Sequence, residues 1–428
     1  MRLSDALRIG VGTARLQRSQ WRSAARIRAC QRARLGRTLR FALDRVPHYR
    51  RLDIDTRNGG PEDWLARFPV LSKHDLQMAG ESLLAQGTRR EDLHKSRTSG
   101  STGEPTVAYF DRPAWLLTKY ALKLRRMLSY GLGPGTRVLI VSEADEAALR
   151  SQREAVLAGQ GRLFRQAYVS LHAPLESHVR ELQSLRPHAI YAFPSYLADL
   201  LDHCERHGIV LPPVAVVFTS SEIVPASLRR RLTESLGARV CDVYGCTEFK
   251  EVAWQCEAGR YHVNHESVWI EALPGPEAGA PGTLLLTTLV NRAAPLIRYR
   301  VGDLGRLEWA SCRCGRAGPA LSALAGREVE LLELPDGRRL SPYLLTTAVE
   351  DIAGLRQYQF VQTAADCLEL RFSTLNGDAP DDASLRARLH ALVGGQMRIR
   401  LLPVAAIPRT PGGKRKVLVR DLPAGGGR

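Results

Sequence analysis

Apolar positions along this chain recur first at helical spacing, then in short runs, then at strand spacing. Over the first ninety-odd residues Leu16, Trp21, Ile27, Leu35 and Leu39 fall among arginines, the pattern of amphipathic helices packed on a larger body. Breaks fall at Val46-Pro47-His48 and at Asn58-Gly59-Gly60-Pro61. Helix-like and strand-like segments then alternate, with helices expected over 115–130, 146–158, 177–185, 196–207 and 227–236 and strands over 137–141, 189–192, 215–219 and 239–242. Short apolar strands between amphipathic helices predict a largely parallel sheet covered by helices. Residues 261–308 read as antiparallel strands. A boundary falls near Gly326-Arg327, and the strands (358–362, 368–372, 398–404) and helix (383–393) beyond it suit a small α+β domain. The expectation is an α/β chain. A large N-terminal domain, 1–327, has a basic helical segment at 1–95, and a small C-terminal domain spans 328–428. The end, 424–428, reads as frayed.

Length and composition agree with two unequal domains: 428 residues with 44% apolar content can bury a sizeable core. They exclude disordered, collagen-like and disulfide-scaffold classes. No apolar run is long enough to span a membrane, and charges interrupt the N-terminal stretch that a signal peptide needs uncharged. The expected location is the cytoplasm, with reduced thiols. The net charge is +17, and residues 1–51 hold 14 arginines against 2 aspartates, so 12 of the 17 excess charges sit there. They read as a solvated helical face; the alternative is attraction to nucleic acid, anionic lipid or an acidic carrier protein. No nucleic-acid-binding signature accompanies them, so no nucleic-acid partner is expected.

Five segments carry candidate chemistry. Thr98, Ser99, Gly100, Ser101, Thr102 and Gly103, followed by Glu104-Pro105-Thr106, form a loop whose N–H and hydroxyl groups can cradle phosphate oxygens. It is not a Walker loop, because no Gly-Lys-Ser/Thr follows, and alone it is equally a surface loop. Asp242-Val243-Tyr244-Gly245-Cys246-Thr247-Glu248 follows a predicted strand, where ligands of open α/β sheets collect. There Tyr244 can stack on a base, Thr247 can meet a phosphate and Glu248 can hold Mg²⁺. In Ile297-Arg298-Tyr299-Arg300-Val301-Gly302-Asp303-Leu304-Gly305, Asp303 on a tight turn can take both ribose hydroxyls. Arg327 of Gly326-Arg327 can meet ribose or phosphate, and Lys414, after Pro408-Arg409-Thr410-Pro411-Gly412-Gly413, can reach a developing negative charge.

In this order the segments resemble the acyl-adenylate-forming superfamily, most of all its phenylacetate–CoA ligase branch with the capsule-associated and deazaflavin-cofactor-adenylating relatives. The resemblance begins at Val46-Pro47-His48-Tyr49-Arg50, passes through Phe68-Pro69-Val70-Leu71-Ser72-Lys73 and ends at Lys414. Its specific blocks are Tyr-Gly-x-Thr-Glu and Arg-Tyr-Arg-x-Gly-Asp. It implies ATP- and Mg²⁺-dependent conversion of a carboxylic acid to acyl-AMP with loss of pyrophosphate, then transfer to a thiol, CoA first among acceptors. In that scheme the loop holds the phosphates, Glu248 the metal, Thr247 the α-phosphate, Tyr244 the adenine and acyl side, and Asp303 with Arg327 the ribose. Lys414 meets the charge at the α-phosphorus, and the C-terminal domain then rotates about a hinge after Gly326-Arg327. Two positions depart from the pattern: Glu104 stands where many relatives have lysine, and Val329 where relatives usually have Asp or Lys.

Cys256, His262, Cys312 and Cys314 offer three thiolates and an imidazole, a closed tetrahedral donor set for structural Zn²⁺. Cys30, Cys204, Cys241, Cys246 and Cys367 read as packing residues. Tyr191-Ala192-Phe193-Pro194-Ser195-Tyr196 offers aromatics to an acyl pocket, which points to an aryl acid. Two other functions compete with a CoA ligase. One is an adenylating enzyme that loads an acyl carrier protein or forms an amide or ester; the other is a non-catalytic binding protein that keeps the fold. A homodimer is compatible with either.

Overall fold

The computed structural model describes residues 3–97, 106–144, 165–275, 280–374, 379–410 and 414–422. Thr98, Ser99, Gly100, Ser101, Thr102 and Gly103, the helix expected over 146–158, the glycines 412 and 413, and the end at 424–428 lie outside the described residues. Two compact units are present: Met1–Gly135, Gly159–Phe164 and Cys241–Leu324 form the first, and Thr136–Ala158, Arg165–Val240 and Ala325–Arg428 the second.

The first unit begins with the arginine-rich helices Leu3–Ser19 and Ala24–Arg45. The apolar spacing buries Leu16, Ile27, Leu35 and Leu39. Arginines are spent on structure here: Arg34 bonds the Glu266 carbonyl, Arg28 lies over Trp309 and Arg40 over Trp64. Pro47 opens the short helix Pro47–Arg50 at a position that needs no N–H partner. The helix expected from 115 starts earlier, at Arg112, because Asp111 caps it by accepting from the Ala114 N–H at 2.8 Å. Strands Val268–Ala272, Gly282–Thr288, Tyr299–Trp309, Pro319–Arg327, Tyr261–Val263, Lys250–Gln255 and Arg239–Cys246 neighbour one another in that order, and the register shows antiparallel pairing, as expected for 261–308. Their core joins Leu35, Leu39, Tyr49, Phe68, Val252, Leu284 and Leu321.

The second unit carries the parallel strands Val216–Ser220, Ala189–Ala192, Arg137–Ser142 and Arg165–Ser170, with helices Leu175–Leu185, Pro194–Arg206 and Ala226–Leu236 packed on them. The strand Arg165–Ser170 has no counterpart in the sequence reading. It is the edge strand among the described residues, exposed or half-buried over its first four positions, and lacks the apolar run that marks its buried neighbours. Beyond Ala325 the chain builds its own core from Leu332, Leu345, Phe360, Leu370, Leu385, Leu389 and Leu418. Helices Pro342–Val349 and Asp382–Val393 accompany a four-stranded sheet ordered Arg398–Pro403, Cys367–Thr374, Leu355–Ala364, Leu418–Arg420. This is the α/β class that the sequence predicts, and among the described residues its parallel strands and helices lie within a few positions of where the periodicity puts them.

Candidate active site and cysteine–histidine cluster

The Tyr-Gly-Cys-Thr-Glu segment does not follow a strand, as expected, but continues one. Strand Arg239–Cys246 runs through Asp242 and Tyr244 because Val243 and Tyr244 pair with Trp254 and Ala253 of the neighbouring strand. A three-residue turn, Thr247–Phe249, then reverses the chain, and Cys246 pairs with Lys250. Buried Phe249 anchors this turn. Gly245 cannot be replaced: a Cβ there would lie 2.2 Å from the Lys250 carbonyl oxygen.

Asp303 is likewise not on a tight turn. It lies within strand Tyr299–Trp309, where the register slips between Thr283 and Leu285 of the partner strand and Gly302 takes φ of 84°. The bulge re-aims the carboxylate. Tyr244 Oη donates to Asp303 Oδ2 at 2.8 Å, and Tyr299 Oη donates to Glu248 Oε1 at 2.8 Å. Tyr261 Oη donates to buried Asp242 Oδ2 at 2.6 Å. Three carboxylates are thus each oriented by one phenol. Sequence reasoning assigned no role to Tyr299 or Tyr261, although Tyr299 lies inside the quoted Arg-Tyr-Arg segment. The neighbouring Arg298 reaches back to the Phe68 carbonyl at 2.8 Å and pairs with Glu271 at 3.2 Å, which fixes the backbone ahead of Tyr299.

The segment that precedes the Ser/Thr/Gly loop, His94–Arg97, and the one that follows it, Val107–Phe110, form an antiparallel hairpin in which Arg97 faces Val107. Lys250 Nζ bonds Ser96 Oγ on this hairpin. A cavity of about 300 Å³ reaches Glu248, Thr106 and Tyr109, with Leu76, Leu83 and Leu296 among its apolar walls. Thr247 is half-buried in the turn, and burial pushes the Cys246 thiol well up, which keeps it protonated and inert.

Arg327 and Lys414 belong to the second unit. Arg327 is exposed and ends strand Pro319–Arg327, next to Gly326 at φ of 93°. Lys414 Nζ stands 3.7 Å from Glu143 Oε1, and its backbone closes on Thr410 through a 2.7 Å hydrogen bond. The following residue anchors the segment: Arg415 holds both oxygens of Asp199 at 2.8 and 2.9 Å. Tyr196, offered by the sequence to an acyl pocket, is instead a core residue at 1% exposure, hydrogen-bonded to His178 at 3.0 Å.

In the first unit Cys256, His262, Cys312 and Cys314 converge, their ligand atoms all within 4.8 Å of one another. Cys256 Sγ and Cys312 Sγ are 3.7 Å apart, and Cys314 Sγ and His262 Nε2 3.2 Å. Two tight turns present the thiols: the Gly259 N–H bonds the Cys256 carbonyl at 2.9 Å, and the Gly315 N–H bonds that of Cys312 at 2.8 Å. Both glycines have positive φ, 80° and 88°. Burial, with Arg316 and Arg260 nearby, lowers His262 to about 3, so its imidazole stays neutral and keeps a lone pair. Burial opposes ionisation of Cys314, but hydrogen bonds from Arg316 hold it below the ordinary thiol value. Ligands at Zn–S and Zn–N distances of about 2.3 and 2.0 Å around one ion lie roughly 3.5 Å apart, so this donor set fits a tetrahedral cation.

No family model matches the chain. Among curated proteins, the phenylacetate–coenzyme A ligase of Thermus thermophilus is 28% identical over an alignment that covers 92% of this chain and 96% of that protein. The Escherichia coli phenylacetate–coenzyme A ligase is 26% identical, covering 91% and 94%. Among solved structures, a 2-hydroxyisobutyryl-CoA ligase in complex with an acyl-AMP superposes with a TM-score of 0.75 at 23% identity, over 94% of this chain and 91% of that one.

Proposed function

We propose that this chain, similar over most of its length to phenylacetate–coenzyme A ligases and sharing its fold with an acyl-CoA ligase, is an acyl-adenylate-forming ligase of the phenylacetate–CoA ligase-like branch that activates a carboxylic acid with ATP and passes the acyl group to CoA. The observation that carries this reading is the pair of phenol–carboxylate contacts, Tyr244 to Asp303 and Tyr299 to Glu248, which links two segments distant in sequence. In each pair the phenol fixes how the carboxylate is turned. Asp303, turned in this way, suits contact with the ribose hydroxyls, with Arg327 as a second contact. Glu248 so held suits Mg²⁺, which when bound neutralises phosphate charge. Among the described residues the Glu248 carboxylate makes no other hydrogen bond.

Tyr244 offers a ring face to adenine, Asp242 and Gly245 shape the strand beneath it, and Thr247 points a hydroxyl to the α-phosphate. The loop of Thr98, Ser99, Gly100, Ser101, Thr102 and Gly103 takes the β- and γ-phosphates. Attack of the acid's carboxylate on the α-phosphorus displaces pyrophosphate, and the Lys414 ammonium stabilises the charge that builds there. Residues 328–428, turning about Gly326-Arg327, then clear the way for the thiol. Zinc, held by Cys256, His262, Cys312 and Cys314, staples the strands that carry the site. The location that suits ATP, CoA and reduced thiols is the cytoplasm. No helix among the described residues is long and apolar enough to cross a membrane.

The test is pyrophosphate release with ATP, Mg²⁺ and a panel of aryl and fatty acids, with and without CoA. Acid-dependent release that CoA accelerates, with an acyl-CoA product, supports the proposal. Release that CoA leaves unchanged moves the acceptor to a carrier protein, amine or hydroxyl. No release with any acid rejects acid activation.

A further inference from the structure

Arg34, Arg37 and Thr38 stand three and four positions apart on helix Ala24–Arg45, so their side chains share one face. With Arg292 they line a cavity of about 330 Å³ whose other walls are apolar, Leu117 and Val290 among them. This is not the cavity that reaches Glu248. The turn after strand Gly282–Thr288 gives Asn291 and Ala294 to that cavity, but Val290 and Arg292 to this one. All of these residues belong to the first unit.

Among the described residues no acidic side chain lines this cavity. Arg34 bonds the Glu266 carbonyl, a contact that leaves its charge whole. Arg292 lies 5.6 Å from the centre of the Phe41 ring and forms no ion pair among the described residues. Arg37 has no hydrogen-bonding, ionic or ring partner there, and the Thr38 hydroxyl makes no hydrogen bond. Both Arg37 and Arg292 are exposed, so a solute can reach them. The neighbouring Asp111 turns its carboxylate to the N–H groups of Ala114, Arg292 and Ala293, at 2.8, 2.9 and 3.4 Å. Three guanidinium groups and a free hydroxyl around one concave space favour an anion. A lone carboxylate, with one charge and two oxygens, leaves part of this donor set unused. A phosphate monoester brings close to two charges and three terminal oxygens, and guanidinium forks match them. The apolar walls suit the carbon part of such an ester, which inorganic phosphate lacks. We propose that this cavity binds the phosphate-monoester dianion of a small organic molecule, held by Arg34, Arg37 and Arg292 with Thr38 donating its hydroxyl. Two sources supply that group: a separate phosphate ester, or, on the functional reading above, the 3′-phosphate of CoA.

The experiment is calorimetric titration of the full chain with butyl phosphate, for wild type, Arg37→Gln and Arg292→Gln, with MgATP as the control ligand. Wild type is expected to bind butyl phosphate saturably and more tightly than inorganic phosphate. That binding should weaken as pH falls through about 6, where the monoester takes up its second proton. Each variant is expected to bind butyl phosphate about tenfold more weakly or worse, on the order of one lost hydrogen bond to a charged group, with MgATP affinity within about twofold of wild type. Titration with CoA and with dephospho-CoA separates the sources. A tenfold loss in both variants for CoA alone assigns the site to the co-substrate's 3′-phosphate, and an unchanged CoA affinity assigns it to a separate ester. Three results overturn the inference: no saturable binding of butyl phosphate by wild type up to about 10 mM, the same affinity in both variants, or binding abolished by saturating MgATP, which would place the ester in the nucleotide site. Binding is read without turnover, so a wild type that activates an acid but fails these titrations sinks this inference and leaves acid activation standing.

Discussion

Tyr244 donates its phenolic proton to Asp303 across 2.8 Å, joining positions 59 residues apart in the chain. One lies on the strand that leads into the Glu248 turn, the other in a bulge of strand Tyr299–Trp309. A hydrogen bond to a charged group contributes about 1.5–3 kcal/mol. Tyr244→Phe keeps the ring and removes only this bond. It is expected to raise KM for ATP about tenfold and to change kcat by less than about threefold. A collapse of kcat at unchanged KM would contradict the assignment of Asp303 to the ribose.

Glu248 and Tyr299 form the second such pair, at 2.8 Å. If Glu248 ligates Mg²⁺, Glu248→Gln should cut acyl-AMP formation by about 100-fold or more, on the order of the loss seen when one electrostatic stabiliser is removed. Raising the Mg²⁺ concentration should recover part of it. Tyr299→Phe leaves the carboxylate in place and should cost about tenfold, through a higher Mg²⁺ requirement. A Glu248→Gln enzyme with full activity and an unchanged Mg²⁺ dependence would remove this residue from the metal site.

The cysteine–histidine cluster ties the end of strand Lys250–Gln255 to the segment between Tyr299–Trp309 and Pro319–Arg327. Elemental analysis of the purified protein should find one zinc per chain. Cys312→Ser should lose it and lower Tm by on the order of 10 °C or more, because metal binding free energy adds directly to folding. Protein that is metal-free and equally stable would refute the site.

Acid stability should report on Glu266. This buried carboxylate takes both Arg125 contacts at 3.0 and 3.1 Å and the Ser19 hydroxyl. Burial raises its pKa, but Arg125, His265 and Ser19 outweigh burial and lower it to about 2, from 4.5. A folded-state pKa below the unfolded one means that the contribution is present above about pH 4.5. It is lost as pH falls toward 2, where the unfolded chain binds the proton more readily. The linkage is worth on the order of 3 kcal/mol. In urea titrations, stability should fall steeply over that window. Glu266→Gln should be less stable at pH 7, since it leaves Arg125 buried without its partner, and should show a flatter slope below pH 4.5.

The sequence carried the class of fold and the identity of most candidate residues, because apolar periodicity and short motifs are local. Leu35, Leu39 and the strands at 189–192 and 216–220 are buried where their spacing puts them. Edge strand Arg165–Ser170 escaped because a half-exposed strand lacks an apolar run. Asp303 was placed on a turn because Gly302 reads as one; only the pairing with Gly282–Thr288 makes it a bulge. Tyr299, Tyr261 and Lys250 acquire meaning through partners far away in the chain, at Glu248, Asp242 and Ser96. No local pattern signals such contacts. Tyr196 shows the converse: an aromatic in a suggestive motif that packing with His178 consigns to the core.

Lys414 gives the sharpest separation of the two half-reactions. Its ammonium rests 3.7 Å from Glu143, both side chains about a third exposed, an arrangement worth little to stability and easily exchanged for a stronger anion. The charge that it is proposed to meet exists only while the α-phosphorus is under attack. Lys414→Ala should therefore lower acyl-AMP formation by about 100-fold or more, while leaving CoA transfer from preformed acyl-AMP within about threefold of wild type. Arg415→Ala, by contrast, breaks the bidentate contact with Asp199 that anchors the segment. It should weaken the first step only partly, and do so by misplacing Lys414. Equal loss of both half-reactions in Lys414→Ala would show that the lysine supports the fold or the thiol site instead of the adenylation step.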